Sequence, residues 1–179
     1  MTGSLATGGV VALLALLAIA GGGAGVAMAT GSLERAGVAD GGRGAFTSPL
    51  PGAAISQRFG CTTLAIEPPS RLCPGGHFHS GVDLVAAQGT PVHATLAGVA
   101  HVVVSATGYG LHVIVDHGNG LSSLYGHLSA VAVAEGETVQ PGQVIGALGS
   151  TGNSTGPHLH FEIRRDGLPE DPALDVELG

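Results

Sequence analysis

Two histidines one residue apart close a glycine-rich loop in Gly156-Pro157-His158-Leu159-His160-Phe161-Glu162-Ile163. In an extended strand, side chains two residues apart leave the same face, so both imidazoles of such a pair can reach one metal site. Upstream, His79-Ser80-Gly81-Val82-Asp83 sets an imidazole and a carboxylate four apart, again on one face of an extended segment. Two imidazoles and one carboxylate with an open fourth position are the ligand set of a catalytic rather than a structural zinc site. Either half alone is a common surface pattern, and it is their joint occurrence that points to a metal. Between them, Leu124-Tyr125-Gly126-His127-Leu128-Ser129 carries a third histidine at the end of a strand-like run.

Strands must hold these residues, because helix signals are nearly absent. Short β-branched runs separated by Gly, Pro, Asn and Asp recur at Val82-Ala86, Pro91-Ala94, Gly98-Ala106, Leu111-His117, Leu121-Tyr125, Val144-Leu148 and His158-Arg164. Asn119-Gly120 between two of the runs predicts a tight hairpin, since both residues tolerate positive φ. The pattern predicts an all-β fold, an antiparallel β-sandwich or barrel-like domain. Glu135 to Gly146 resembles the hairpin of lipoyl-type domains and is expected to be a structural hairpin under the groove. The loop Gly149 to Gly156, built almost wholly of small and hydroxyl residues, would bring backbone close to a substrate beside the paired histidines.

Composition removes several alternatives. The 179-residue chain has 13 acidic and 6 basic residues, a net charge of −7, and every basic residue is arginine. Without lysine there is no P-loop, Schiff-base or lipoyl-carrier chemistry. The negative balance argues against nucleic acid as a partner, since phosphate contacts need a basic surface. An uncharged apolar run from about Leu5 to Ala29 predicts an N-terminal hydrophobic leader helix. Its length suits a membrane anchor, and Ala27-Met28-Ala29 suits a cleaved signal peptide. We therefore expect residues 1–30 as signal peptide or anchor, 31–52 as flexible linker and 53–179 as the domain. With an export leader, Cys61 and Cys73 are expected to form a disulfide, worth roughly 3 kcal/mol for such a loop. The alternative, a cysteine zinc pair, lacks a C-x-x-C and further ligands.

In this order, the histidine segments resemble the lysostaphin and LytM-type zinc endopeptidases of bacterial cell walls. The resemblance runs roughly from residue 50 to 172. It takes in Ile55-Ser56-Gln57-Arg58-Phe59-Gly60, Gly81 to Val92, Gly108-Tyr109-Gly110-Leu111-His112-Val113-Ile114-Val115-Asp116-His117-Gly118 and Gly149 to Gly156. It implies the duplicated hybrid motif fold, one zinc ion, and His79, Asp83 and His160 as its ligands, with His127 and His158 as the catalytic pair. Many members place a tyrosine shortly before the first ligand. Here Arg71 to Phe78 has none, so either His77 or a more distant group would take its part, or the rate would be lower.

Zinc lowers the pKa of a bound water toward ~7 and polarises a carbonyl. The chain has no H-E-x-x-H glutamate base, and an imidazole with a pKa near 6.5 serves as proton acceptor at neutral pH. Glu162 shares the face of His158 and His160 but is read as a structural partner of Arg164. The implied substrate is the peptide of peptidoglycan, cut outside the cytoplasm, with the N-terminal segment at the membrane. The alternatives are a non-catalytic exported zinc-binding activator of the same fold, or a wall-opening component of a phage particle or secretion apparatus.

Overall fold

The computed structural model describes residues 46–178. In chain order the strands are β1 (Ala54–Gln57), β2 (Gly60–Thr62), β3 (His77–His79), β4 (Val82–Val85), β5 (Pro91–His93), β6 (Gly98–Val103) and β7 (His112–Gly118). They continue as β8 (Leu121–Gly126), β9 (Ala130–Val131), β10 (Thr138–Val139), β11 (Val144–Ala147), β12 (Leu159–Arg165) and β13 (Leu168–Glu170), followed by a 3-10 turn at Pro172–Leu174. The β-branched runs become the longer strands as expected. The fold is all-β and antiparallel.

Eight strands form the main sheet, in the order β1-β4-β12-β8-β7-β6-β10, with β13 added to β12. A three-stranded sheet, β5-β11-β9, and a two-stranded ribbon, β2-β3, complete the fold. Asn119 (φ 52°) and Gly120 (φ 77°) make the β7–β8 turn, in the left-handed conformation that suits the twist of a hairpin.

Alternation on the central strands separates core from site. On β12, Leu159, Phe161 and Ile163 face the apolar core; on β4, Val82 and Leu84 do the same. From the smaller sheet Val92 and Ile145 join the same cluster. His160, Glu162 and Asp83 therefore leave by the opposite face, as the period of two requires. Phe161 is fully buried with its ring 5.4 Å from that of Tyr125. The Tyr125 hydroxyl meets the Thr95 N–H at 2.8 Å and Ser123 Oγ at 2.9 Å, so this buried phenol leaves no polar atom unpaired.

Three differences from the sequence expectations stand out. Residues 46–52, expected as linker, pack on the domain: Leu50 is 1% exposed and the His93 N–H bonds the Pro49 carbonyl at 2.9 Å. An apolar side chain in a glycine-rich stretch is enough to anchor it. The segment from Glu135 to Gly146 is not a hairpin, because β10 pairs with β6 while β11 pairs with β5 and β9. Its Pro141-Gly142 turn carries the chain from one sheet to the other. The ribbon β2-β3 was not expected, and Cys61 within it is joined to Cys73 by the disulfide. The expected leader helix, signal peptide or anchor of residues 1–30 lies outside the described residues.

Replacing Phe161 by Ala should open a cavity between the two sheets and cost about 3–5 kcal/mol. Urea unfolding followed by far-UV circular dichroism would check it, and a loss below about 1 kcal/mol would contradict this packing.

Candidate metal centre and catalytic groove

Cross-strand register brings the candidate ligands together. His160 on β12 stands opposite Asp83 on β4 and opposite Gly126 on β8. His79 ends β3, and Ser80-Gly81 turn the chain into β4. A Cβ at Gly81 would lie 2.4 Å from the Phe161 carbonyl oxygen and 3.0 Å from His160 Nε2, so only glycine lets the backbone pass this close to the ligand. His79 Nε2, Asp83 Oδ1 and His160 Nδ1 then converge. The separations are 3.1 Å (His79 to Asp83), 3.0 Å (His160 to Asp83) and 3.0 Å between the imidazoles, and all three residues are buried.

The other ring nitrogens are committed. His79 Nδ1 lies 3.0 Å from the Arg58 carbonyl, which can only accept, so the proton is on Nδ1. His160 Nε2 lies 2.9 Å from Glu162 Oε1. Neutral rings held this way turn two lone pairs toward each other and toward a carboxylate, which is repulsive unless a proton or a cation sits among them. Ligand atoms 2.0–2.1 Å from a tetrahedral ion lie about 3.3 Å apart, so the observed spacing fits a divalent cation. In the metal-free protein a proton fills that role. Burial alone would lower the His160 pKa, but hydrogen bonds to Asp83 and Glu162 outweigh it and raise it to about 9. Burial would likewise raise Asp83, yet the hydrogen bonds from His160 and His79 hold its carboxyl well below the usual range.

His127 and His158 stand beside this group with ring centroids 4.7 Å apart. His127 Nδ1 lies 2.7 Å from the Thr151 carbonyl and His158 Nδ1 2.8 Å from the Gly156 carbonyl. Both therefore donate through Nδ1–H and leave Nε2 available. His158 Nε2 is 3.7 Å from Asp83 Oδ2, so this imidazole borders the ligand group. His127 has φ 61°, a left-handed backbone that a β-carbon makes costly by about 1–2 kcal/mol. That turn, just after β8 ends, is held by its N–H bonding the Tyr109 carbonyl at 2.8 Å. Burial lowers the His127 pKa to about 4; the Thr151 carbonyl opposes this, and His158 and His160 add to it. Its ring is neutral at pH 7.

A groove of about 360 Å³ has Asp83, His127, His158 and His160 in its lining. Leu64, Ile66, Glu67 and Pro68 come to it from the disulfide-closed loop, and Asn153, Ser154 and Thr155 from the small-residue loop. Among the described residues, its lining carries the carboxylates of Glu67 and Asp83 and no arginine.

All five expected residues thus meet at one place. Of the groups expected to stand in for the absent tyrosine, His77 is not at the groove and a more distant side chain is. His77 turns its Nδ1 to the Glu67 carbonyl at 2.8 Å and does not line the groove. Tyr109 does line it, with its hydroxyl 2.8 Å from Glu162 Oε1. Glu162 does pair with Arg164, as expected, but the same carboxylate also holds His160, which was missed. The period-two face of β12 was the available signal. His101, His112 and His117 bond Glu135, the Gly110 carbonyl, and the Ala97 carbonyl with Ser123 respectively. Among the described residues, the group able to hold a metal is His79, Asp83 and His160.

The model of Peptidase family M23 matches residues 77–172. The DD-carboxypeptidase/endopeptidase Mpg of Neisseria meningitidis is 52% identical over 94 residues, covering 52% of this chain and 22% of that protein. The peptidoglycan DD-endopeptidase ShyA of Vibrio cholerae is 41% identical over 91 residues, 51% of this chain and 21% of its own length. This chain thus spans about a fifth of these relatives. The catalytic domain of lysostaphin from Staphylococcus simulans superposes with a TM-score of 0.58 at 34% identity, covering 68% of this chain and 90% of that one.

His160 is raised above its unfolded value of 6.5, so its contribution to metal-free stability is complete below pH 6.5 and is lost as pH rises through about 9. Metal uptake at pH 7 must displace that proton. Calorimetric zinc titration in buffers of differing ionisation enthalpy should show about one proton released per ion. Release of none would mean that the site carries no proton at pH 7 for zinc to displace.

Proposed function

This chain belongs to Peptidase family M23, and from that premise we propose that it is a zinc-dependent endopeptidase hydrolysing peptide stems or cross-bridges of bacterial peptidoglycan outside the cytoplasm. The observation that carries the reading is the meeting of a three-ligand group with two imidazoles, each presenting Nε2, in one groove. The names of the relatives, a DD-carboxypeptidase/endopeptidase and a peptidoglycan DD-endopeptidase, support the substrate. The Cys61–Cys73 disulfide supports an oxidising compartment outside the cytoplasm.

His79, Asp83 and His160 would hold the zinc, which when bound acidifies water and polarises the scissile carbonyl. The remaining work belongs to the chain. One proton must leave the attacking water and one must reach the departing amine. A neutral imidazole presenting Nε2 would accept the first, and the imidazolium so formed would deliver the same proton to the departing amine, its neighbour standing 4.7 Å away. The carbonyls of Thr151 and Gly156 keep both rings in the tautomer this requires. Leu64 and Ile66, about half exposed, offer apolar surface to a peptide with small side chains.

Purified peptidoglycan of several wall chemotypes should release new amino termini on incubation with the chain, and a zinc chelator should stop it. His127→Ala and His158→Ala should each lose about 10²–10⁴-fold in rate, and His160→Ala should lose both zinc and activity. Zinc-loaded protein that releases nothing from any chemotype would leave a non-catalytic activator as the reading.

A further inference from the structure

We infer that Glu162 is a positioning residue for the metal centre: it holds His160 with the proton on Nε2 and so turns Nδ1 to the metal. This rests on the ligand set proposed above. The two imidazole ligands differ in how they are held. His79 offers Nε2 and anchors Nδ1 on a neutral backbone carbonyl, that of Arg58. His160 offers the other nitrogen, Nδ1, and anchors Nε2 on a carboxylate. An imidazole N–H held by a carboxylate has one tautomer and one ring orientation, and its free nitrogen becomes a stronger donor.

The carboxylate is built for this use. Glu162 is 0% exposed, and donors from three parts of the fold converge on it. Ser80 Oγ, next to the ligand His79, reaches Oε1 at 2.5 Å, and Tyr109 reaches the same oxygen at 2.8 Å from the β6–β7 loop. Arg164, two residues along β12, donates Nε to Oε2. A salt bridge with Arg164 alone would occupy one oxygen. The other takes Ser80, Tyr109 and the ligand, so the metal centre and its surroundings share a single anchor.

The test is zinc affinity of the full chain, measured by competition with a chromophoric chelator, for wild type, Glu162→Ala, Glu162→Gln and Arg164→Met. Glu162→Ala should bind zinc about 10–100-fold more weakly. Glu162→Gln, which keeps an acceptor oxygen for Nε2–H, should recover part of that loss. Arg164→Met, which breaks the ion pair and leaves the His160 contact, should lower the melting temperature while holding zinc more tightly than Glu162→Ala. Long-range 1H–15N spectra of zinc-loaded wild type should show His160 protonated at Nε2, a readout that needs no variant to fold. Zinc affinity within twofold of wild type in both Glu162 variants, equal weakening by Arg164→Met, or an Nδ1-protonated His160 would overturn the inference. Absence of peptidase activity with zinc affinity behaving as described would fail the proposed function and support the inference. A wild type that binds no zinc would overturn both.

Discussion

Three lone-pair-bearing atoms held about 3 Å apart in a buried place are the constraint on which the rest of this structure depends. Such an arrangement repels itself until something positive enters it. The fold supplies the force that keeps it assembled, through paired strands and a well-packed apolar face behind them. A divalent cation bound there would take the place of the proton that holds the group together without it, so the ligands need little rearrangement to receive it. The chain has paid part of the ordering entropy in folding.

How the strands do this is a matter of register. Asp83 and His160 are direct cross-strand neighbours on antiparallel strands, which brings their β-carbons to about 5 Å without any loop being asked to be accurate. Gly126 completes the row on β8 and leaves room for the His160 side chain, because a Cβ there would sit 3.3 Å from that of His160. His79 arrives from the separate β2-β3 ribbon, so its placement relies on the Gly81 turn and on the Arg58 carbonyl. His127 relies on a left-handed backbone at a strand end. On the proposed reading, ligands on regular strands and proton-transfer groups on loops would keep the metal fixed and leave the reacting side adjustable.

Much of the site was legible in the sequence because its geometry is periodic. Two residues apart on one strand, His158 and His160 announced a shared face, and Asn119-Gly120 announced the hairpin. Residues brought together by distant pairing were harder to read. Glu162 was visible on the right face, but nothing local said that its carboxylate would meet His160 as well as Arg164. Tyr109 enters from the β6–β7 loop, whose path depends on contacts with Thr151 and Gly152 across the fold. Strands of two or three residues, such as β9 and β10, carry too few side chains to show a period. The Glu135 to Gly146 segment misled because its turn chemistry is that of a hairpin while its two strands find partners in different sheets. Leu50 anchored a stretch whose composition alone said linker.

Among the described residues the groove is lined by two carboxylates and no arginine, in a chain without lysine. Its field before loading is negative, concentrated by the low-dielectric wall around it. Such a field gathers dications from dilute solution and turns away anions. An ion seated there would offset the charge of the carboxylates. Under the proposed function, charge would therefore admit a carboxylate-bearing peptide to the loaded groove sooner than to the empty one.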